Sequence, residues 1–368
     1  MKKILYLQLL TVCMISISCM SGCYSNQLPI TPPSATQNFP LALKWSNTFG
    51  DNINGMAVGN GTVIVGLIGI DKKVMLYAYD VYSGTAKWST TIDGNNFAIN
   101  LKIYDGEVFV AYPPNFYALN LEDGSLIWET TDLESGSKIV AVSERHLLVL
   151  KTLELVAYNI KTGNTTWSIA IDRGNKYVFF EDETDIVYFL TGTKIQAIKD
   201  ENGEVLWTKD THLPGTMVFQ DGVIYVNNDT AGVTLDALDI FTQNTIWQTN
   251  LDSPSEYLMV WKNQIIGIST DRFVSIERET GKKNWEYLLP LGPYRPPVRI
   301  DNTAYIRNVN SNQIIAWDLN GGDMLGKLNL PARDSIMIVR DDDLLSLDSY
   351  DPVLVLYVNN QLFVYGEK

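Results

Sequence analysis

Chemistry in this chain would have to come from a short inventory. Histidine occurs only at His146 and His212, and cysteine only at Cys13, Cys19 and Cys23. A metal centre needs three or four such ligands brought close together. The sequence also lacks an H-E-x-x-H pair, a G-x-S-x-G elbow, a phosphate-cradling Gly loop and a D-x-[DN]-x-[DN]-G calcium loop. His146 opens the strand-like run HLLVL and His212 sits in a Pro-Gly connection, positions that suit structural or solvent-facing roles. Glu181-Asp182-Glu183 and Asp341-Asp342-Asp343 fall at expected strand-to-strand turns, where acidic side chains stay hydrated. The residues therefore predict no catalytic, cofactor or metal site.

With 46% hydrophobic and 19% charged residues in 368, the chain has the make-up of a globular protein with a large core. Its formal charge is −14, and that acidic field opposes a phosphate backbone, so nucleic acid is excluded as a partner. Met1-Lys2-Lys3 leads into an uncharged run, Ile4 to Met20, followed by Ser21-Gly22-Cys23. A positive start, a short apolar stretch and small residues before a cut read as a signal peptide over residues 1–22. Met20-Ser21-Gly22-Cys23 resembles the bacterial lipobox, with Met20 where Leu is usual, which makes Cys23 the expected lipid attachment site. Cleavage there leaves one cysteine, in first place, and no disulfide within the chain. Residues 23–40 comprise that cysteine and a stretch with four prolines and no hydrophobic period, an expected tether with the fold starting near Leu41.

The tryptophans at 45, 88, 128, 167, 207, 247 and 285 stand 43, 40, 39, 40, 40 and 38 residues apart. The residues before each repeat too: Ala78-Tyr79-Asp80, Ser83-Gly84, Trp88; then Ala118-Leu119-Asn120, Asp123-Gly124, Trp128; then Ala157-Tyr158-Asn159, Thr162-Gly163, Trp167. A seventh copy, Ala316-Trp317-Asp318 with Gly322, ends in Gly326 instead of Trp, and Trp261 falls outside the register. Each Asp or Asn can accept hydrogen bonds from turn amides, and each Gly can take positive φ where the chain reverses. Upstream lie two more apolar runs joined by Asn60-Gly61, Asp105-Gly106, Asp221-Gly222 or Asn302-Thr303, the marks of tight hairpins. Four short strands per repeat of about 40 residues predict a propeller blade.

The motif A-x-D/N-x-x-T/S/D-G-x-x-x-W resembles the tryptophan-docking repeat of the quinoprotein-like, or PQQ-like, propellers. WD40 and kelch propellers predict other pairs: there is no Gly-His, and Gly-Gly occurs once, at Gly321-Gly322. The resemblance implies an all-β, eight-bladed propeller over residues 41–368, with Trp45, Trp88, Trp128, Trp167, Trp207, Trp247 and Trp285 docked across blade seams. The eighth blade must join both ends of the chain. Its members are drawn from SIMIVR, DLLSLDS, VLVLYV, QLFVYG and the strand of Trp45, with the outermost left open between the last two. Trp261 is expected to matter less to stability than the periodic indoles.

Some members of the family are calcium- and quinone-dependent dehydrogenases, the larger of which place an adjacent-cysteine disulfide beside the quinone. The mature chain has no cysteine pair. In leader, length and blade count it is similar to the propeller lipoprotein of the outer-membrane β-barrel assembly machinery. That resemblance implies a non-catalytic scaffold without cofactors, a monomeric ring anchored by lipid on the outer side of a bacterial membrane, with other envelope proteins as partners. A carbohydrate- or surface-binding module and a quinone- or small-ligand-dependent enzyme or sensor stay open beside it. The loop rings Phe97, Tyr112, Phe116 and Tyr294, with Arg295, are the candidates for partner binding, since aromatic and Arg side chains on Pro-rich loops give contact area at low ordering cost. Alternatively the rings plug the channel or cap blade ends.

Overall fold

A computed structural model describes residues 34–36, 38–94, 99–171, 176–181, 184–191, 194–210, 216–228, 233–330, 336–340 and 353–368. Cys23, Phe97, His212, Asp182, Glu183, the three aspartates at 341–343 and the rest of the DLLSLDS run lie outside the described residues.

Two kinds of turn build each repeat. At Asn60-Gly61, Asp105-Gly106 and Asp221-Gly222 both residues take positive φ, from 46° to 75°, the form whose twist matches the flanking strands. The fourth expected pair is shifted by one: Asp301 carries the positive φ of 49°, and Thr303 already opens the next strand. In the second kind, Asp80 Oδ1 accepts from the N–H of Tyr82 and Ser83 and from the Ser83 hydroxyl, at 3.1, 2.8 and 2.8 Å. Asn159 Oδ1 does the same for Lys161 and Thr162, at 3.0 Å each. Gly84, Gly124, Gly163, Gly203, Gly281 and Gly322 follow at φ between 69° and 79°, and Gln243 takes φ 58° in the copy without Gly.

These turns fold the chain into eight antiparallel sheets. The first blade comprises Ile53–Gly59, Thr62–Ile68, Val74–Asp80 and Ala86–Ile92. Blades two to seven follow in order within residues 100–130, 138–170, 176–210, 217–250, 257–288 and 298–329. The eighth combines Ile336–Arg340, Leu354–Val358 and Gln361–Glu367 with Leu41–Thr48, which pairs along Gln361–Glu367 as the outermost strand, Trp45 opposite Val364. First strands touch between successive blades from one to six and between seven and eight, and the eighth touches the first. This is an eight-bladed β-propeller. Middle strands are covered by blades on both faces, which is why they read as unbroken apolar runs: Val63, Ile64 and Val65 are fully buried, as are Val108, Phe109 and Val110.

The periodic indoles join blades. Trp88, Trp128, Trp167 and Trp247 donate Nε1–H to the carbonyls of Leu121, Ile160, Asp200 and Arg278 in the following blade, at 2.8, 2.9, 2.6 and 2.8 Å. Trp45 in the eighth blade reaches Val81 of the first at 2.8 Å. Each sits directly on the turn glycine of that neighbour: a Cβ on Gly163 would lie 2.5 Å from the Trp128 ring, and one on Gly124 would lie 2.6 Å from Trp88. Two seams vary. Trp207 packs beside Tyr188, ring centres 6.1 Å apart, and the turn of the following blade uses Gln243 in place of Gly. Trp285 leans on Phe273 and Tyr287, its Nε1 buried without a hydrogen-bond partner among the described residues, while the Tyr287 hydroxyl donates to Gly321 O at 2.9 Å.

Two expectations are corrected. Trp261 is only 4% exposed, in a cluster with Phe273 and Trp317 between blades six and seven, so burial gives it the standing of a seam residue. The fold also begins before Leu41. Ser34–Ala35 adds a fifth strand to the outer edge of blade seven, opposite Asn329 and Leu328, and Phe39 is fully buried against Tyr305. In blade eight the third and fourth strands are not consecutive in sequence, so no Gly turn exists there for an indole to rest on. The N-terminal segment crosses that place instead, over Gly326.

Candidate functional site

The loops between second and third strands and the connections between blades share one face of the ring, and the candidate partner-binding residues lie on it. Three of the four described ones are buried and present no ring to a partner. Tyr112 is fully buried, its hydroxyl donating to Lys72 O at 2.9 Å, with the chain at Gly94 lying across its ring. Phe116 is also fully buried, edge-on to Trp128 at 5.2 Å and to Tyr158 at 5.4 Å, inside the seam of blades two and three. Tyr294 is 2% exposed. In each case the ring is placed near a loop tip in sequence but turned inward, because burial of its apolar area outweighs exposure.

Tyr294 does shape the surface above it. Its hydroxyl donates to Pro290 O at 2.5 Å and accepts from Asn308 Nδ2 at 2.9 Å. Burial pushes its phenol above the usual range, against the Asn308 hydrogen bond. Backbone bonds from Leu289 N–H to Asp271 O, Arg295 N–H to Arg307 O and Val309 N–H to Pro293 O pin residues 289–297 to blades six and seven, at 2.7, 3.1 and 3.0 Å. On this rigid base Leu288 and Leu291 stand 73% and 79% exposed, and Pro290, Pro293, Arg295 and Pro296 are exposed around them. Below, the Arg307 guanidinium is only 4% exposed. Burial and the charge of Arg295 hold it below the usual guanidinium range. The result is an apolar knuckle with local positive charge on an acidic protein, suited to a partner that offers an apolar cleft and a carboxylate. Neither leucine was among the candidate binding residues read from the sequence: Leu291 stands between Pro290 and Gly292 in the connection, whereas Leu288 ends the strand Lys283–Leu288 and looks like part of its pattern.

On the opposite face, a cleft of about 620 Å³ lies between blades six and seven, lined by Val260, Trp261, Lys262, Arg299, Asp301 and Asn302. The Lys262 ammonium stands 4.4 Å from the centre of the Trp261 ring.

His146 belongs to the seam between blades three and four. Its Nδ1 is 3.1 Å from Asp200 Oδ1, close but without hydrogen-bond alignment, and both groups are buried. The Ser143 hydroxyl donates to the other carboxylate oxygen of Asp200 at 2.8 Å. A nucleophilic relay needs the serine on the imidazole; here the serine bonds to the acid. Among the described residues, no group of three or more His, Cys, Asp and Glu side chains is arranged to hold a metal ion.

The family model described as outer membrane protein assembly factor BamB matches residues 42–249 and 115–327. The chain belongs to that family. BamB of Yersinia pestis is 21% identical over 322 residues, covering 75% of this chain and 79% of the relative. The crystal structure of BamB from Moraxella catarrhalis superposes with a TM-score of 0.66 at 18% identity, over 89% of this chain and 98% of that one. The fold is shared more widely: quinohemoprotein alcohol dehydrogenase from Comamonas testosteroni gives a TM-score of 0.60 at 10% identity, over 89% of this chain and 76% of that one.

Proposed function

We propose that this chain is an exported, lipid-anchored, non-catalytic scaffold that takes part in outer-membrane protein assembly. Membership of the BamB family over most of the ring is the observation that carries this reading. The expected leader over residues 1–22, with Cys23 directly after it, and the formal charge of −14 agree with it. Docking is assigned to the knuckle of Leu288, Leu291 and Arg295, because a pinned loop offers apolar contact and a planar donor fork without an ordering cost on binding. Crosslinked capture from source membranes tests it: Leu291→Asp with Arg295→Glu should lose outer-membrane assembly proteins while thermal stability stays near wild type, since both positions are exposed. Undiminished capture places docking elsewhere on the ring. A quinone chromophore held by the purified chain in the presence of calcium overturns the non-catalytic reading.

A further inference from the structure

Blade seven departs from the other seven in two ways that meet at one place. Among the described sheets it is the five-stranded one, with Ser34 and Ala35 added along the edge of Met324–Asn329. It also carries Gly326 where the others place Trp. Gly326 has no left-handed φ, so its own backbone does not require glycine. The visiting segment does: a Cβ there would lie 2.6 Å from Phe39 N, 2.7 Å from Phe39 Cα and 2.8 Å from the Asn38 carbonyl carbon.

Among the described residues, two hydrogen bonds beside the short ladder tie the visitor to the blade: Thr36 N–H donates to Lys327 O at 2.8 Å and Lys327 N–H donates to Thr36 Oγ1 at 3.0 Å, while Phe39 N–H donates back to Thr36 O within the segment at 3.0 Å. Ala35, Thr36 and Asn38 are exposed, and among the described residues of the segment Phe39 is the fully buried one, edge-on to Tyr305 at 5.8 Å. A short backbone ladder plus one side-chain slot is how an extended peptide is recognised at a sheet edge. Ring closure does not depend on it, because Leu41–Thr48 pairs separately along the whole of Gln361–Glu367.

We propose that the edge of Met324–Asn329 and the slot above Gly326 form a docking site for an extended peptide bearing phenylalanine. The chain's own Ala35-Thr36 and Phe39 are its resident, displaceable occupant. The peptide class is defined by the resident: small residues that can lie against a strand, then an aromatic ring a turn later. A consequence rests on the anchoring at Cys23 proposed above, though the site itself does not. Release would lengthen the link between anchor and ring by roughly 20 Å of extended chain.

Variants of the full chain separate the possibilities. Phe39→Ala empties the slot, and Gly326→Ala closes it with a methyl group. The probe is a fluorescein-labelled synthetic peptide with the sequence of residues 33–40, followed by anisotropy. Phe39→Ala should bind it at least tenfold more tightly than wild type. The double variant, and the peptide with Ala in place of its Phe, should lose that gain. In Gly326→Ala alone, hydrogen exchange at the Phe39 and Lys327 amides should accelerate at least tenfold while the Leu41–Thr48 ladder stays protected. Equal peptide binding by the single and double variants overturns the site. Exchange that opens the Leu41–Thr48 ladder as well makes the segment part of ring closure and overturns its displaceability. A wild-type dimer that Phe39→Ala dissolves assigns the slot to a second copy and overturns the cis occupant.

Discussion

Trp128→Ala measures what an indole seam contributes. Trp128 is 8% exposed, lies 5.2 Å from the Phe116 ring and 6.1 Å from the Phe109 ring, and donates to Ile160 O at 2.9 Å. Truncating a buried Trp costs about 3–5 kcal/mol, and Gly163 beneath it has no side chain with which to refill the gap. The Ile160 carbonyl also loses its donor, a penalty of about 1–3 kcal/mol that overlaps the first. We expect about 4 kcal/mol in total. An unfolding entropy of roughly 2.1 cal/mol/K per residue over roughly 330 residues gives about 0.7 kcal/mol/K, so the melting temperature should fall by about 6 °C in calorimetry. Trp128→Phe keeps a ring and loses the donor, and should fall between the variant and wild type. Trp261→Ala, equally buried, should cost about as much as Trp128→Ala. A drop below about 2 °C for Trp128→Ala, or an equal drop for Trp128→Phe, would refute the seam argument.

Gly124→Ala and Gly106→Ala share φ near 72° and 75°, hence a left-handed strain of roughly 1–2 kcal/mol. Only Gly124 faces an indole, so it should cost about 1–3 kcal/mol more in urea unfolding, and equal losses would deny the contact. Burial pulls the Asp80 carboxyl up, but the Ser83 N–H and hydroxyl and the Tyr82 N–H outweigh it. The Thr242 N–H and hydroxyl likewise hold Asp239 below the usual carboxylate range. Their contribution is complete above the ordinary Asp value of about 3.9 and is lost as pH falls through the lower folded-state values. Asp80→Asn with Asp239→Asn keeps the acceptor, as Asn120 and Asn159 do, but loses the charge, so the melting temperature should fall slightly near neutral pH while the decline between about pH 5 and pH 2 becomes shallower. A steeper acid decline would contradict the turn assignment. Cys23→Ser should move the protein from membranes to the soluble fraction, and membrane retention after leader removal would count against the lipid anchor.

The seam register and the hairpin turns were legible in one dimension because most copies carry the residue that best suits the turn. Glycine takes the left-handed position against an indole in six copies, as at Gly163, with Gln243 the exception, and Asp or Asn holds the turn amides from the strand end in five of seven, as at Asp80 and Asn159. Repetition at a forty-residue interval then carried the blade count, since each blade needs the next to cover its face. Where a ring points is another matter. Tyr112, Phe116 and Tyr294 sit in loop-like sequence yet turn inward, while Leu288 and Leu291 stand outside, because partners distant in sequence decide which apolar area can be covered. The same holds for Trp261, which the period leaves out and the packing of blades six and seven buries. Gly326 shows the division most plainly. Its break in the tryptophan register was visible in the sequence, but Phe39, 287 residues earlier, fills the place only once the ring brings both ends of the chain together.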